Sequence, residues 1–103
     1  MVHLTKDNFN EETGVRDTLI VIDFWAPWCG PCRMFGPVFE KLAGEMTDVK
    51  FCKVNVDEEQ DLAMEFAVNS IPTVAFVKND TVEDIAVGFM TEDALRAKIE
   101  ENK

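Results

Sequence analysis

Residues 19–32 read Leu19-Ile20-Val21-Ile22-Asp23-Phe24-Trp25-Ala26-Pro27-Trp28-Cys29-Gly30-Pro31-Cys32. The first seven form an apolar, β-branched run broken by one acid. Without the polar alternation of a half-exposed strand, this run predicts a strand buried on both faces in the middle of an α/β sheet. After the cysteines, Phe35, Val38, Phe39, Leu42 and Met46 recur at intervals of three and four, which marks one face of a helix packed on that sheet. Pro37 removes a backbone hydrogen bond and predicts a kink, but the periodicity beyond it predicts that the helix continues. Cys29 and Cys32 therefore fall where a buried strand gives way to a helix.

Working outward, Val2 to Leu4 reads as a short strand, and Thr5 as an N-cap for a helix carrying Phe9. Val49 to Val56 forms the next strand. Asp57 with Gln60 three positions on resembles a capping box that opens a short helix with Leu62, Ala63 and Phe66 on one side. Thr73 to Lys78 and Val82 to Val87 make two further strands. The Asn79-Asp80-Thr81 segment between them is too short for a crossover, so they should pair as an antiparallel hairpin. Thr91 caps the last helix, whose first turn holds Glu92 and Asp93 and whose inward face holds Leu95 and Ile99. The expectation is one α/β domain over residues 1–103, with a mixed sheet covered by helices.

Composition narrows the function classes. With 47% apolar and 29% charged residues, and only five Gly and four Pro, the chain is that of a soluble globular protein. Ten basic against twenty acidic residues give a formal charge of −10, which repels a phosphate backbone and an anionic membrane alike. Neither nucleic acid nor membrane is an expected partner. The start, Met1-Val2-His3-Leu4-Thr5-Lys6-Asp7, lacks the pattern of a secretory signal, and no apolar run has the length of a membrane span, so a cytoplasmic location is expected. Three unevenly placed cysteines do not make a disulfide framework, whereas a C-x-x-C beside a βα unit points to redox work.

At the start of a helix, Cys29 and Cys32 share one face and lie within reach of a disulfide. Unsatisfied backbone N–H groups and the positive end of the helix dipole favour the thiolate of Cys29, the reactive form. Cys29 is the expected nucleophile. One turn inside, Cys32 is the expected resolving thiol, kept protonated by burial until a mixed disulfide forms beside it. Pro31 stiffens the turn, and Trp28 can lie over the site as a partly exposed apolar plate. Asp23, after four aliphatic residues, should be partly desolvated, with its pKa raised. C-x-x-C is also a metal knuckle, and Cys52 with His3 would complete four zinc ligands by count. Against this, no second close pair exists and Cys52 falls inside a strand, where it reads more simply as a small buried hydrophobe; no metal is expected.

The motifs Asp23-Phe24-Trp25-Ala26-Pro27-Trp28-Cys29-Gly30-Pro31-Cys32-Arg33, Pro37, Lys53-Val54-Asn55-Val56-Asp57, Ile71-Pro72-Thr73 and Gly88 stand in the order and at the spacing of thioredoxins. The chain resembles that family over nearly its whole length. The resemblance implies a thioredoxin fold, a central mixed five-stranded sheet flanked by four helices, and a monomer that reduces disulfides of target proteins. Gly30-Pro31 between the cysteines implies a reductant, since the family's oxidases and isomerases typically carry a histidine there. It also implies a Cys29–Cys32 disulfide in the oxidised form, and Asp23 behind Cys32 as its proton acceptor, with Lys53 tempering the buried charge. The Ile71–Pro72 bond would be cis, with Ile71 backbone groups binding an extended target segment like an added strand. Trp28, Gly30, Pro31, Ile71, Pro72 and Gly88 would form a flat docking patch, with Thr73 among the substrate-binding residues.

No Gly-rich nucleotide fingerprint is present, and no bound cofactor is expected. The resemblance supplies electrons from NADPH through a flavin thioredoxin reductase. Some positions depart from the common pattern. Phe66 replaces a frequent tyrosine, Asn69-Ser70 a basic residue and glycine, Asp80 a hairpin glycine, and Phe89 a small residue after Gly88. Phe89, if exposed beside the docking patch, would alter partner choice. The sequence is also compatible with a different class of protein, a docking module whose redox chemistry is incidental.

Overall fold

The computed structural model describes Met1 to Lys103 and arranges them as β1 (Val2–His3), α1 (Phe9–Thr13), β2 (Ile20–Trp25), α2 (Gly30–Glu45), β3 (Lys50–Asn55), α3 (Gln60–Glu65), β4 (Thr73–Lys78), β5 (Thr81–Val87) and α4 (Glu92–Asn102). The five strands form one sheet in the order β1-β3-β2-β4-β5. β3 runs parallel to β1 and β2, whereas β4 runs antiparallel to both β2 and β5. β2 thus has a partner on each side, which is why its sequence is apolar but for Asp23: Ile20, Val21, Ile22 and Phe24 are fully buried.

Alternation along the strands sorts the core into two layers. Val21, Phe51, Val74 and Phe76 meet Phe35, Phe39 and Leu42 of α2 and Leu95 and Ile99 of α4. Ile20, Ile22, Phe24, Cys52 and Val54 face the other way, toward Leu62 of α3 and the half-buried Phe9 and Phe66. Each such side chain contributes about 1.5–3 kcal/mol by leaving water. Phe66 lies against both Phe9 and Phe24, with ring centroids 5.9 and 5.1 Å away, so the ring is used as packing and a hydroxyl is not needed there. α2 continues through Pro37, as the periodicity on its far side predicts.

Three local expectations are corrected. Thr5 does not cap α1 directly. Its hydroxyl accepts the Asn8 N–H while its own N–H reaches Asn8 Oδ1 at 2.7 Å, a reciprocal turn one step ahead of the helix. Asp57 and Gln60 form no capping box: α3 has no side-chain cap, and Asn55 Oδ1 accepts the Asp57 N–H instead. The β4–β5 hairpin turns on Asn79 and Asp80 alone, both at positive φ (50° and 67°), the two-residue turn that suits strand twist. Thr81 already belongs to β5, and a bulge at Phe76/Val77 absorbs the extra residue. Asp80 accepts the left-handed conformation in place of glycine while its carboxylate pairs with Arg16 at 2.7 Å.

Candidate active site

Cys29 is the N-cap of α2, with extended backbone (φ −86°, ψ 115°), and its Sγ accepts the N–H of Cys32 at 3.2 Å. Gly30 and Pro31 occupy the first helical positions, where a proline loses nothing by lacking an N–H. Cys29 and Cys32 are joined in a disulfide with Cα atoms 5.2 Å apart. Both are nearly inaccessible, and with Ala26 they form a small cluster against Trp25, Val56 and Ile71. The cap geometry follows from the sequence: a strand ends at Trp25, and the Ala26-Pro27-Trp28 turn delivers Cys29 to the mouth of the helix. A Cβ on Gly30 would meet nothing, so the open turn leaves room above the disulfide.

Facing the disulfide is the loop before β4. The Ile71–Pro72 peptide bond is cis, and the Ile71 carbonyl oxygen lies 3.7 Å from Cys29 Sγ. The Gly88 N–H donates to the Pro72 carbonyl at 2.8 Å, which ties the end of β5 to the loop. Gly88 has φ +97° and open space where a Cβ would sit, so its backbone conformation, and not crowding, calls for glycine. Two of the expected substrate-binding residues turn inward. Pro72 is buried, and Thr73 is 2% exposed with its hydroxyl donating to the Ser70 carbonyl, so both side chains hold the loop from beneath. Trp28, Gly30, Pro31, Ile71 and Gly88 stay at least partly exposed, as does Phe89, whose ring stands edge-on to Phe35. Asn69 and Ser70 lie exposed on the Trp28 side. Trp28 itself is 66% exposed and anchored by its Nε1–H donating to Asp57 at 2.8 Å.

Asp23 and Lys53 stand opposite each other in the β2–β3 register, on the α2 face of the sheet. Asp23 is 1% exposed, and its Oδ1 has no hydrogen-bond partner. Burial pushes its carboxyl up to about 7; Lys53 pulls it down and Glu40 of α2 adds to the rise. The Lys53 ammonium does not rest on Asp23 Oδ1 but lies over the Trp25 ring, 4.7 Å from its centroid. Sequence reading missed this stack and the Trp28–Asp57 bond. The first was accessible, since residues 23 and 25 of one strand share a face. The second joins positions 28 and 57 through the fold alone.

The structure does not bring the four zinc candidates together, and no group of three or more His, Cys, Asp or Glu is placed to hold a metal. Cys52 lies in the opposite core layer, and burial pushes its thiol up to about 11.

A disulfide at a helix N-cap, a cis-proline loop beside it and a buried acid on the strand that leads into it define a thiol–disulfide oxidoreductase built on a mixed α/β sheet. Comparison with known proteins narrows the class. The family model described as Thioredoxin matches residues 1–101, and the chain belongs to the thioredoxin family. It is 43% identical over 97 residues to the thioredoxin of Bacillus subtilis (strain 168), covering 93% of this chain and 91% of that one. Among solved structures, Fasciola hepatica thioredoxin superposes with a TM-score of 0.88 at 37% identity, each chain fully covered. Malassezia sympodialis thioredoxin (Mala s 13) does so with a TM-score of 0.84 at 42% identity, covering 99% of this chain and 90% of that one.

Proposed function

We propose that this protein reduces disulfides of other proteins through Cys29, with Cys32 resolving the mixed disulfide. The observation that carries the reading is the Cys32 N–H directed at Cys29 Sγ at 3.2 Å, a preformed donor for a sulfur anion at the helix N-terminus. In the reduced protein the Cys29 thiolate attacks one sulfur of a target disulfide. The target S–S bond breaks, a Cys29–target disulfide forms, and the other target sulfur leaves as a thiolate. Cys32 then attacks Cys29 Sγ and releases the second target thiolate, so that two electrons have passed to the target and Cys29 and Cys32 are joined.

Cys32 must lose its proton for the second step, and Asp23 is the group suited to take it, since a carboxyl near 7 exchanges protons at neutral pH. Lys53 limits the cost of the negative charge that remains. An extended target segment would lie across Ile71, whose carbonyl faces Cys29, flanked by Trp28, Gly30 and Pro31 on one side and Gly88 on the other. The electrons come from NADPH through a flavin thioredoxin reductase, the protein holding no cofactor of its own. It works as a monomer in the cytoplasm; no helix is long and apolar enough to cross a membrane. Reduction of insulin by dithiothreitol tests the reading. The protein should accelerate it and Cys29→Ser should not, whereas turnover surviving in Cys29→Ser would overturn it.

A further inference from the structure

Lys53 is a buried cation one strand away from a buried acid, yet neither Asp23 nor Lys53 takes part in any of the molecule's ion pairs. Two groups account for where the ammonium sits. The Trp25 ring lies under it at 4.7 Å, and α2 passes over it at Gly36, where a Cβ would come within 3.9 Å of Nζ. A desolvated ammonium on an indole face is held firmly enough to compete with a neighbouring carboxyl that is itself buried. Asp23 Oδ1 is thereby left without a partner.

We propose that Trp25 is a positioning residue for Asp23: by holding the Lys53 ammonium on its ring, it keeps that charge within Coulombic range of the Asp23 carboxylate but out of hydrogen-bond contact with it. Direct contact would stabilise the ionised carboxylate and remove Asp23 from the range in which it can accept a proton and return it. No contact at all would leave the charge uncompensated. Trp25 selects the intermediate arrangement. The charged groups that bear on Asp23 are Lys53 from β3 and Glu40 from α2; its β4 neighbour, Val74, carries no charge.

This deepens the reading of Asp23 as the acceptor for Cys32 and rests on it for its catalytic consequence only. The test is the titration of the Asp23 carboxyl by carbon-13 NMR in the disulfide form, where Cys29 and Cys32 do not titrate and the Asp23 carboxyl is observed directly. Trp25→Leu frees Lys53 to reach Oδ1 and should lower the Asp23 midpoint by about one pH unit or more, a tenfold weaker hold on the proton. Trp25→Phe, which keeps a smaller ring and the fold, should lower it by less. Lys53→Met should raise it, and adding Trp25→Leu to Lys53→Met should change nothing further, because Trp25 acts only through Lys53. An unchanged or raised midpoint in both Trp25 variants, or a Trp25 effect of equal size with and without Lys53, would overturn the proposal. The acceptor role is tested separately by the pH profile of mixed-disulfide resolution in Asp23→Asn, so the two can fail independently.

Discussion

The two faces of the central sheet bury titratable groups in similar surroundings and to different effect. On the α1–α3 face Cys52 is sealed among Ile20, Ile22, Phe24 and Val54, and its thiol is pushed up to about 11. On the α2–α4 face Asp23 is as deeply enclosed, and its carboxyl is pushed up to about 7. Desolvation is the leading cause in both. A thiol begins about two units above neutrality and is driven further out of range, whereas a carboxyl begins near 4 and is driven into it. The same burial makes one group inert and the other a proton carrier. Cys29 shows the remaining alternative: it is also nearly inaccessible, but a helix N-terminus faces its sulfur.

The contrast breaks first on chemical labelling, where the expected effect is largest. At pH 7 only about one Cys52 thiol in ten thousand is ionised, given its displaced pKa. Iodoacetamide should therefore modify Cys29 of the reduced native protein at least on the order of a hundredfold faster than Cys52, with the gap closing in denaturant. Mass spectrometry of the labelled peptides reads this, and fast native labelling of Cys52 would dissolve the distinction between the faces.

The next effect is on stability. Asp23 has a higher pKa folded than unfolded, so the native state holds its proton more tightly and stability falls as pH rises from about 4 to about 7, then stays level. The ionised carboxylate costs roughly 4 kcal/mol. Asp23→Asn should accordingly be the more stable protein in urea unfolding at pH 8, and the advantage should vanish below about pH 4. A parallel difference at both values would mean that the burial of Asp23 does not control its proton.

Cys52→Ala sharpens the comparison from the other side. It should lose about 1 kcal/mol of stability through the small cavity left in a closely packed layer, while insulin reduction stays within about twofold of the parent. The smallest effect belongs to the surface. Asp57→Ala removes the acceptor of the Trp28 Nε1–H and should free the indole, weakening apparent affinity for a disulfide substrate by about two- to threefold at unchanged maximal rate; this exposed bond is worth only about 0.5–1 kcal/mol.

Most of the fold was legible because the apolar runs and periods belong to single segments. The β2 run announced a central strand, the α2 periodicity survived Pro37, and the short gap at Asn79-Asp80 excluded a crossover. Errors fell where side chains choose between local partners: Thr5 and Asp57 both carry capping chemistry, but each was drawn to a neighbour that a helix pattern does not reveal. Within the site, Cys29 and Cys32 were readable from spacing and from the strand-to-helix junction. The resemblance, not the spacing, supplied the cis bond at Pro72 and the pairing of Asp23 with Lys53.

The linear chain determined the redox pair, the order of strands and helices and the enclosure of Asp23, since each depends on the residues within one or two elements. Tertiary structure alone decided that Pro72 and Thr73 face inward, that Gly88 needs a positive φ to tie β5 to the cis-proline loop, and that Lys53 rests on Trp25 instead of Asp23. Each of these is a choice among partners brought together from distant parts of the chain, and strand register and helix placement settle which partner is within reach.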